Sequence, residues 1–459
     1  MASKIIKKLR DYPSVEELLQ NKGITELISS LPRPLAAQLV KEVVAKSKEK
    51  FKQELHTVTL DKLYSDIKLA IVAAKRSEIT RLINATGIVV HTNLGRAPVS
   101  GEFFDAVKEI VTGYSNIEFD LAKGSRGGRG AACERYLALL AGSESATVVN
   151  NCAAALFLIL NTFANRKQVL ISRGELVQIG GGFRIPDILK KSGAKLCEVG
   201  TTNVTTISDY ENNLDGKTGL ILKVHKSNFV QAGFTEEAPL MQLVELGQAH
   251  NVLVVNDLGS GVFISTQELL GFTEPTVQQS VRDGADLTCF SGDKMLGGMQ
   301  AGLIVGQAEL IKKIKQNPIF RAVRVDKFVF STLEKLLAIY LNGSYQTEVR
   351  LWAILSVPES VLYKRGKALL KELGNPSGLS IEATKAYVGG GALPESSIPS
   401  VGIVFSQRYK ATALMRRFRM MDPPVIGRID NERLILDLKA VGDDELKPLR
   451  DSIKKVIKD

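Results

Sequence analysis

Lys294 lies in the run Ser291-Gly292-Asp293-Lys294-Met295-Leu296-Gly297-Gly298, directly after an apolar, strand-like segment, and a second such segment 37 residues upstream ends in Asp257. A lysine nitrogen so placed can condense with an aldehyde as a Schiff base, and a carboxylate at the end of an apolar strand can keep a pyridine nitrogen protonated. Those are the two demands of pyridoxal phosphate chemistry, which begins with an amino group. Burying an unpaired carboxylate is costly, so Asp257 calls for a cationic partner, and a pyridinium would serve. An Asx turn into Gly259 is the structural alternative.

Three further segments fit the same cofactor. After a strand pattern ending at Val149 come Asn150, Asn151, Cys152 and Ala153, then an apolar helical stretch. Small residues there let backbone N–H groups at a helix start approach a phosphate, although an alanine-rich start also packs closely with no ligand. In Val224-His225-Lys226-Ser227-Asn228, Ser227 or Asn228 could hydrogen-bond the phenolic oxygen, with His225 beside them. The Ser291 hydroxyl can reach the phosphate. This order of phosphate loop, Ser/Asn, Asp and Lys resembles the fold type I, aspartate-aminotransferase-like class of α/β pyridoxal-phosphate enzymes.

The elements that must position these residues follow from the pattern. From residue 84 onward, short apolar runs alternate with glycine-bearing turns and helical stretches, as in an α/β domain with a mainly parallel sheet. Strand patterns fall at Ala146–Val149, Gln168–Ser172, Lys195–Val199, Gly219–Val224, Val252–Asn256, Asp286–Phe290 and Gly302–Val305. Several carry a polar residue just past the carboxyl end, where ligands sit in open α/β sheets. Residues 345–459 read as a smaller C-terminal α/β domain, with strands at Ser400–Phe405 and at Val425–Ile429 and Leu434–Leu438 around the turn Asp430-Asn431-Glu432. Residues 84–344 form the large cofactor domain. Residues 1–60 read as a module of short helices with breakers at Pro13, Gly23 and Leu31-Pro32-Arg33-Pro34, and 61–83 as a linker helix.

Composition narrows the classes. The 459 residues, 44% of them hydrophobic, suffice for a large core and more than one domain. No apolar run reaches the length of a membrane span, and the opening residues lack a signal-peptide pattern, so a cytoplasmic protein is expected. Four cysteines lie far apart without C-x-x-C spacing, and the four histidines are isolated, so neither a disulfide framework nor a catalytic metal is expected. The formal charge of +11 would draw a polyanion without naming one. Lys41, Lys46, Lys48, Lys50 and Lys52 crowd one segment, which is either a solvated helix face or a phosphate-binding stripe.

Several runs together resemble one family, bacterial L-seryl-tRNA(Sec) selenium transferase, over nearly the whole chain. They are Ile83–Gly87 with His91–Pro98, Ile171–Leu176, Phe183–Asp187, Val199–Asn203, Ser291–Gly298, Arg321–Lys327 and Pro423–Ile429. The resemblance implies conversion of seryl-tRNA(Sec) to selenocysteinyl-tRNA(Sec), with pyridoxal phosphate as cofactor and selenophosphate as donor. β-Elimination gives an aminoacrylyl intermediate, to which selenium adds. It implies Lys294 as the base, Asp293 as the aid to hydroxyl departure, and a donor-anion pocket of Arg96, Arg321 and Arg324 near Thr201 and Thr202. It implies tRNA binding by the N-terminal module and its lysines, and a homo-oligomer, a decameric ring of dimers, with no membrane or DNA partner. By composition the glycine-rich loop Lys123–Gly130 either closes over an active site, its own or a neighbouring subunit's, or is a flexible linker, and Arg428 would be structural rather than a carboxylate clamp. Val204, Lys226 and Cys152 depart from the family's usual arginine, threonine and asparagine. The alternative reading is a related lyase acting on a small amino acid or amino sugar phosphate.

Overall fold

In the computed structural model, residues 5–29, 31–54, 58–179, 182–389 and 392–458 are described; His56 falls outside them. The chain divides into two units, Met1–Leu82 and Ile83–Asp459.

The first unit is largely helical because its breakers fall at helix starts, beside or just inside the caps. Ser14 accepts from the Glu17 amide while Glu17 accepts from the Ser14 amide, starting the helix Val15–Leu19. Asn21 accepts from the Gly23 amide, so Gly23 falls inside the first turn of the helix Lys22–Ile28 and does not break the chain. Pro34 sits in the first turn of the long helix Arg33–Glu54, where its missing N–H is harmless. The helix Leu60–Arg76, expected as a connector, buries Leu63, Ile67 and Ile71 against Leu18, Ile24 and Val40. Each such side chain contributes roughly 1.5–3 kcal/mol by leaving water. That helix therefore completes the core of this unit.

The five lysines do not form a single stripe. At about 100° per residue, Lys41, Lys48 and Lys52 fall along one flank of the buried row Ala36, Val40 and Val44, and Lys46 and Lys50 along the other. Glu42 and Glu49 are exposed between the two basic edges. Lys48 lies 5.3 Å from the centre of the Tyr12 ring.

The second unit is built on a seven-stranded sheet. Its order is Lys195–Val199, Gln168–Ser172, Thr218–Val224, Leu253–Gly259, Leu287–Ser291, Gly302–Gly306 and Ser145–Val149. All neighbours are parallel except that Gly302–Gly306 runs antiparallel to both of its own. The central strands read as unbroken apolar runs because helices cover both faces. Cys152–Phe163, apolar on nearly every side, is buried at Leu156, Leu158, Ile159 and Leu160.

A second sheet has the order Arg428–Asp430, Arg433–Asp437, Ala392–Phe405, Leu379–Gly389 and Ile88–Val90. Asn431 and Glu432 both take positive φ, 45° and 61°, and close the hairpin expected at that turn. Ile88–Val90 is a strand contributed from far upstream, pairing parallel to Leu379–Gly389. Among the described residues no helix is long and apolar enough to cross a membrane.

Candidate active site

Sheet register sets the site. Val224 pairs with Asp257, and Asp257 with Cys289, so the carboxyl ends of three parallel strands stand side by side. Beyond the third strand the chain turns tightly: the Gly292 amide bonds the Ala301 carbonyl and the Gly298 amide bonds the Gly292 carbonyl. The Met295 amide donates to the Ser260 carbonyl at 3.0 Å, pinning Lys294 beside the segment that follows Asp257. Lys294 is 7% exposed, and its nitrogen has no hydrogen bond or ion pair among the described residues.

Asp257 is buried opposite it. Burial pushes its carboxyl above the usual carboxylate range, and the nearby Lys294 charge only partly offsets this. A Cβ added to Gly259 would lie 3.7 Å from both Lys294 Nζ and Ser227 Oγ, so lysine and serine converge over a stretch of bare backbone. Ser227 and Ser291 are buried residues that line the cleft, and their hydroxyls have no side-chain partner among the described residues. Across the cleft, Asn151 caps the helix Cys152–Phe163 by accepting from the Ala154 amide at 2.9 Å, and Asn151, Cys152 and Ala153 line the wall. Gly302 permits this closeness, since a Cβ there would meet the Asn151 carbonyl at 2.1 Å.

This donor set fits pyridoxal phosphate. The helix start and Ser291 would hold the phosphate, Ser227 the phenolic oxygen and Asp257 the ring nitrogen, with Lys294 at the aldehyde. A buried amine without a partner and a buried carboxylate without a full counter-ion are costly unless a ligand joins them.

The family profile described as L-seryl-tRNA selenium transferase matches residues 82–442. The chain is 41% identical over 457 residues to the L-seryl-tRNA(Sec) selenium transferase of Aquifex aeolicus (strain VF5), covering 99% of each. It is likewise 41% identical to that of Campylobacter jejuni subsp. jejuni serotype O:6, covering 96% of this chain and 97% of the relative. This chain belongs to the L-seryl-tRNA selenium transferase family. A D-glucosaminate-6-phosphate ammonia-lyase structure shares the fold, with a TM-score of 0.61 at 19% identity, covering 84% of this chain and 98% of that one.

Within this selenium transferase family member, Asp293 is tied to Arg96. Arg96 Nη1 donates to both Asp293 oxygens, at 2.9 and 2.8 Å. The Ala97 amide also donates to the Asp293 carbonyl, and Arg96 itself is held at φ 64°, an unfavourable setting for a residue with a Cβ. One terminal nitrogen makes both bonds, which leaves the other guanidinium N–H groups to the cleft.

Other expected residues lie elsewhere. Arg321 and Arg324 line a separate pocket with Arg126, Arg129, Lys315 and Glu118, not the Lys294 cleft. The two pockets are neighbours, because the Asn150 amide bonds the Val323 carbonyl. The Asn150 side chain is exposed. Asn228 donates to the Gln178 carbonyl and does not line the cleft. Thr201 closes a local turn on Val204, and the Thr202 carbonyl accepts from Gln231. The glycine-rich loop is a hairpin, Phe119–Asp120 against Ser125–Arg126, fastened by Glu118 to Arg126 and Arg129. Arg428 bonds the Thr86 carbonyl and the buried Asp437, which Thr384 and Ser400 also hold.

Sequence reasoning missed two buried carboxylates. Glu175 accepts from Lys223 at 2.6 Å and from the Val224 amide at 2.8 Å; burial raises its carboxyl above the usual range. Glu274, 1% exposed, meets His225 Nε2 at 3.1 Å, which marks His225 as a cleft-lining side chain fixed from behind. Glu175 was legible only as part of the Ile171–Leu176 run, and Glu274 carried no local signal.

Proposed function

We propose that this chain converts seryl-tRNA(Sec) to selenocysteinyl-tRNA(Sec), using pyridoxal phosphate in the Lys294 cleft and selenophosphate as donor. The observation that carries the reading is the buried, unpartnered Lys294 nitrogen facing the buried Asp257 carboxylate in a member of this family.

Bound pyridoxal phosphate supplies an aldehyde and an electron-withdrawing ring. Asp257 holds the ring nitrogen's proton. Lys294, released by the incoming substrate amine, takes the α-proton and carries the proton that the departing β-hydroxyl needs. Asp293, with both oxygens on Arg96, aims that guanidinium instead of donating a proton itself. The free N–H groups of Arg96 then meet the anionic donor, a task suited to a planar fork. Arg428, spent on Asp437, is not placed to clamp a free α-carboxylate, in keeping with a substrate whose carboxyl is esterified to RNA.

The first 82 residues hold 16 Lys+Arg against 10 Asp+Glu, giving that unit more than half of the chain's excess of +11. We assign to it, and to its two lysine edges, the phosphate contacts with tRNA. The Arg321 and Arg324 pocket adds its guanidinium groups to the Arg96 donor site of another copy of the chain, in a decameric ring of dimers in the cytoplasm. Exposed Tyr114, Phe119 and Leu121 beside the hairpin suit such an apolar contact. Supplying seryl-tRNA(Sec) and selenophosphate should yield selenocysteinyl-tRNA, and seryl-tRNA(Ser) should not react. Turnover of free serine or an amino sugar phosphate instead would support a lyase.

A further inference from the structure

Two thiols converge on one oxygen of Asp257. Cys152 Sγ lies 3.5 Å and Cys289 Sγ 3.7 Å from Oδ1, and the three ligating atoms all fall within 4.8 Å of one another. They arrive from different elements: Cys152 is the first residue of the helix Cys152–Phe163, and Cys289 stands opposite Asp257 in the neighbouring strand. Cys289 is fully buried, whereas Cys152 lines the cleft. No other side chain hydrogen-bonds Asp257 among the described residues.

A carboxylate is acceptor-only when ionised, so each contact requires the thiol to donate its S–H. Two donors on Oδ1 restrict rotation of the carboxylate and leave Oδ2 without a hydrogen-bond partner among the described residues. The neighbouring Cys152 sulfur, burial and the Asp257 charge together hold the Cys289 thiol well above its usual range, so it keeps the proton that Asp257 accepts.

Resting on the cofactor reading above, we infer that Cys152 and Cys289 are a thiol pair that positions Asp257, fixing Oδ1 so that Oδ2 meets the ring nitrogen of pyridoxal phosphate. Cys152 thus serves the ring end of the cofactor through its side chain, while its backbone stays at the phosphate end. Each thiol is a weak donor, so losing one should cost a modest factor in cofactor binding and not abolish it.

The test uses the full chain loaded with pyridoxal phosphate. Cys152→Ala and Cys289→Ala are each expected to raise the cofactor dissociation constant about three- to tenfold. Cys152→Ser, which keeps a donor, should return it to near the wild-type value. The pH midpoint of the visible band is the second readout. A ring nitrogen that loses its aligned carboxylate holds its proton less well, the neighbouring lysine-cofactor linkage then feels less positive charge, and its midpoint should rise in the alanine variants and return in the serine one. Unchanged affinity and midpoint in the Cys152→Ala/Cys289→Ala protein, with a normal visible band, would overturn the inference alone. A wild-type chain that develops no visible band with pyridoxal phosphate would overturn the cofactor reading beneath it. Should a variant fail to fold, iodoacetamide on the wild-type protein decides: Cys152 is expected to be protected by bound cofactor, and equal labelling with and without it would contradict the placement.

Discussion

Arg96 bridges both oxygens of Asp293 through a single terminal nitrogen, at 2.9 and 2.8 Å, immediately beside the buried Lys294. A lysine at position 96 could keep that anchor but would lack the remaining guanidinium donors. Arg96→Lys is therefore expected to retain pyridoxal phosphate with a normal visible band, while turnover with selenophosphate falls about a hundredfold. Steady-state kinetics with the donor varied checks this, and undiminished turnover would remove Arg96 from donor binding.

Burial of Asp257 carries a stability cost in the cofactor-free protein. Its carboxyl is raised by burial, so the folded cofactor-free protein binds the proton more tightly than the unfolded chain does. That contribution is full below the ordinary carboxylate range and is lost as pH climbs through the raised value. Asp257→Asn should accordingly raise the melting temperature of cofactor-free protein near neutral pH, by roughly 2–4 °C, while weakening cofactor binding. Thermal melts across pH, with and without cofactor, separate the two effects.

Arg428 and Asp437 make a contrasting pair, one of architecture. Asp437 is fully buried and gathers Arg428, Thr384 and Ser400, so Arg428→Ala leaves an uncompensated charge. A loss of about 3 kcal/mol in unfolding free energy is expected, with the apparent affinity for seryl-tRNA(Sec) unchanged in the folded fraction. Denaturant titration and substrate saturation measure both.

The lysine edges predict a salt signature. Replacing Lys41, Lys48 and Lys52 by alanine should weaken tRNA binding and flatten its dependence on salt, by roughly one unit of slope for each phosphate no longer neutralised. Cofactor uptake should not change. An unaltered salt slope would show that these lysines are merely solvated.

Much of this was readable because central strands and the polar residues at their ends leave local marks. The seven strand patterns of the large sheet fall within three residues of the observed elements, since central strands must be apolar on both faces. Ile88–Val90 escaped because it is a short strand whose partner lies nearly 300 residues away, and Leu379–Gly389, which pairs mainly with the next strand, because it is too mixed in polarity to announce itself. In the site, Lys294, Asp257 and Ser291 were legible from strand ends. The positions of Thr201 and Thr202 outside the cleft were not, and neither was the separation of Arg321 and Arg324 from Arg96. Those depend on how loops from distant strands lie against each other, which no spacing encodes. The convergence of Cys152 and Cys289 on Asp257 was hidden for the same reason: it follows from sheet register for Cys289 and from the placement of a helix start for Cys152.

The most direct measurement is borohydride reduction of the cofactor-loaded protein followed by peptide mass mapping. A single pyridoxyl label on Lys294, absent from Lys294→Ala, is the predicted result. A label on another lysine, or none at saturating pyridoxal phosphate, would contradict the account.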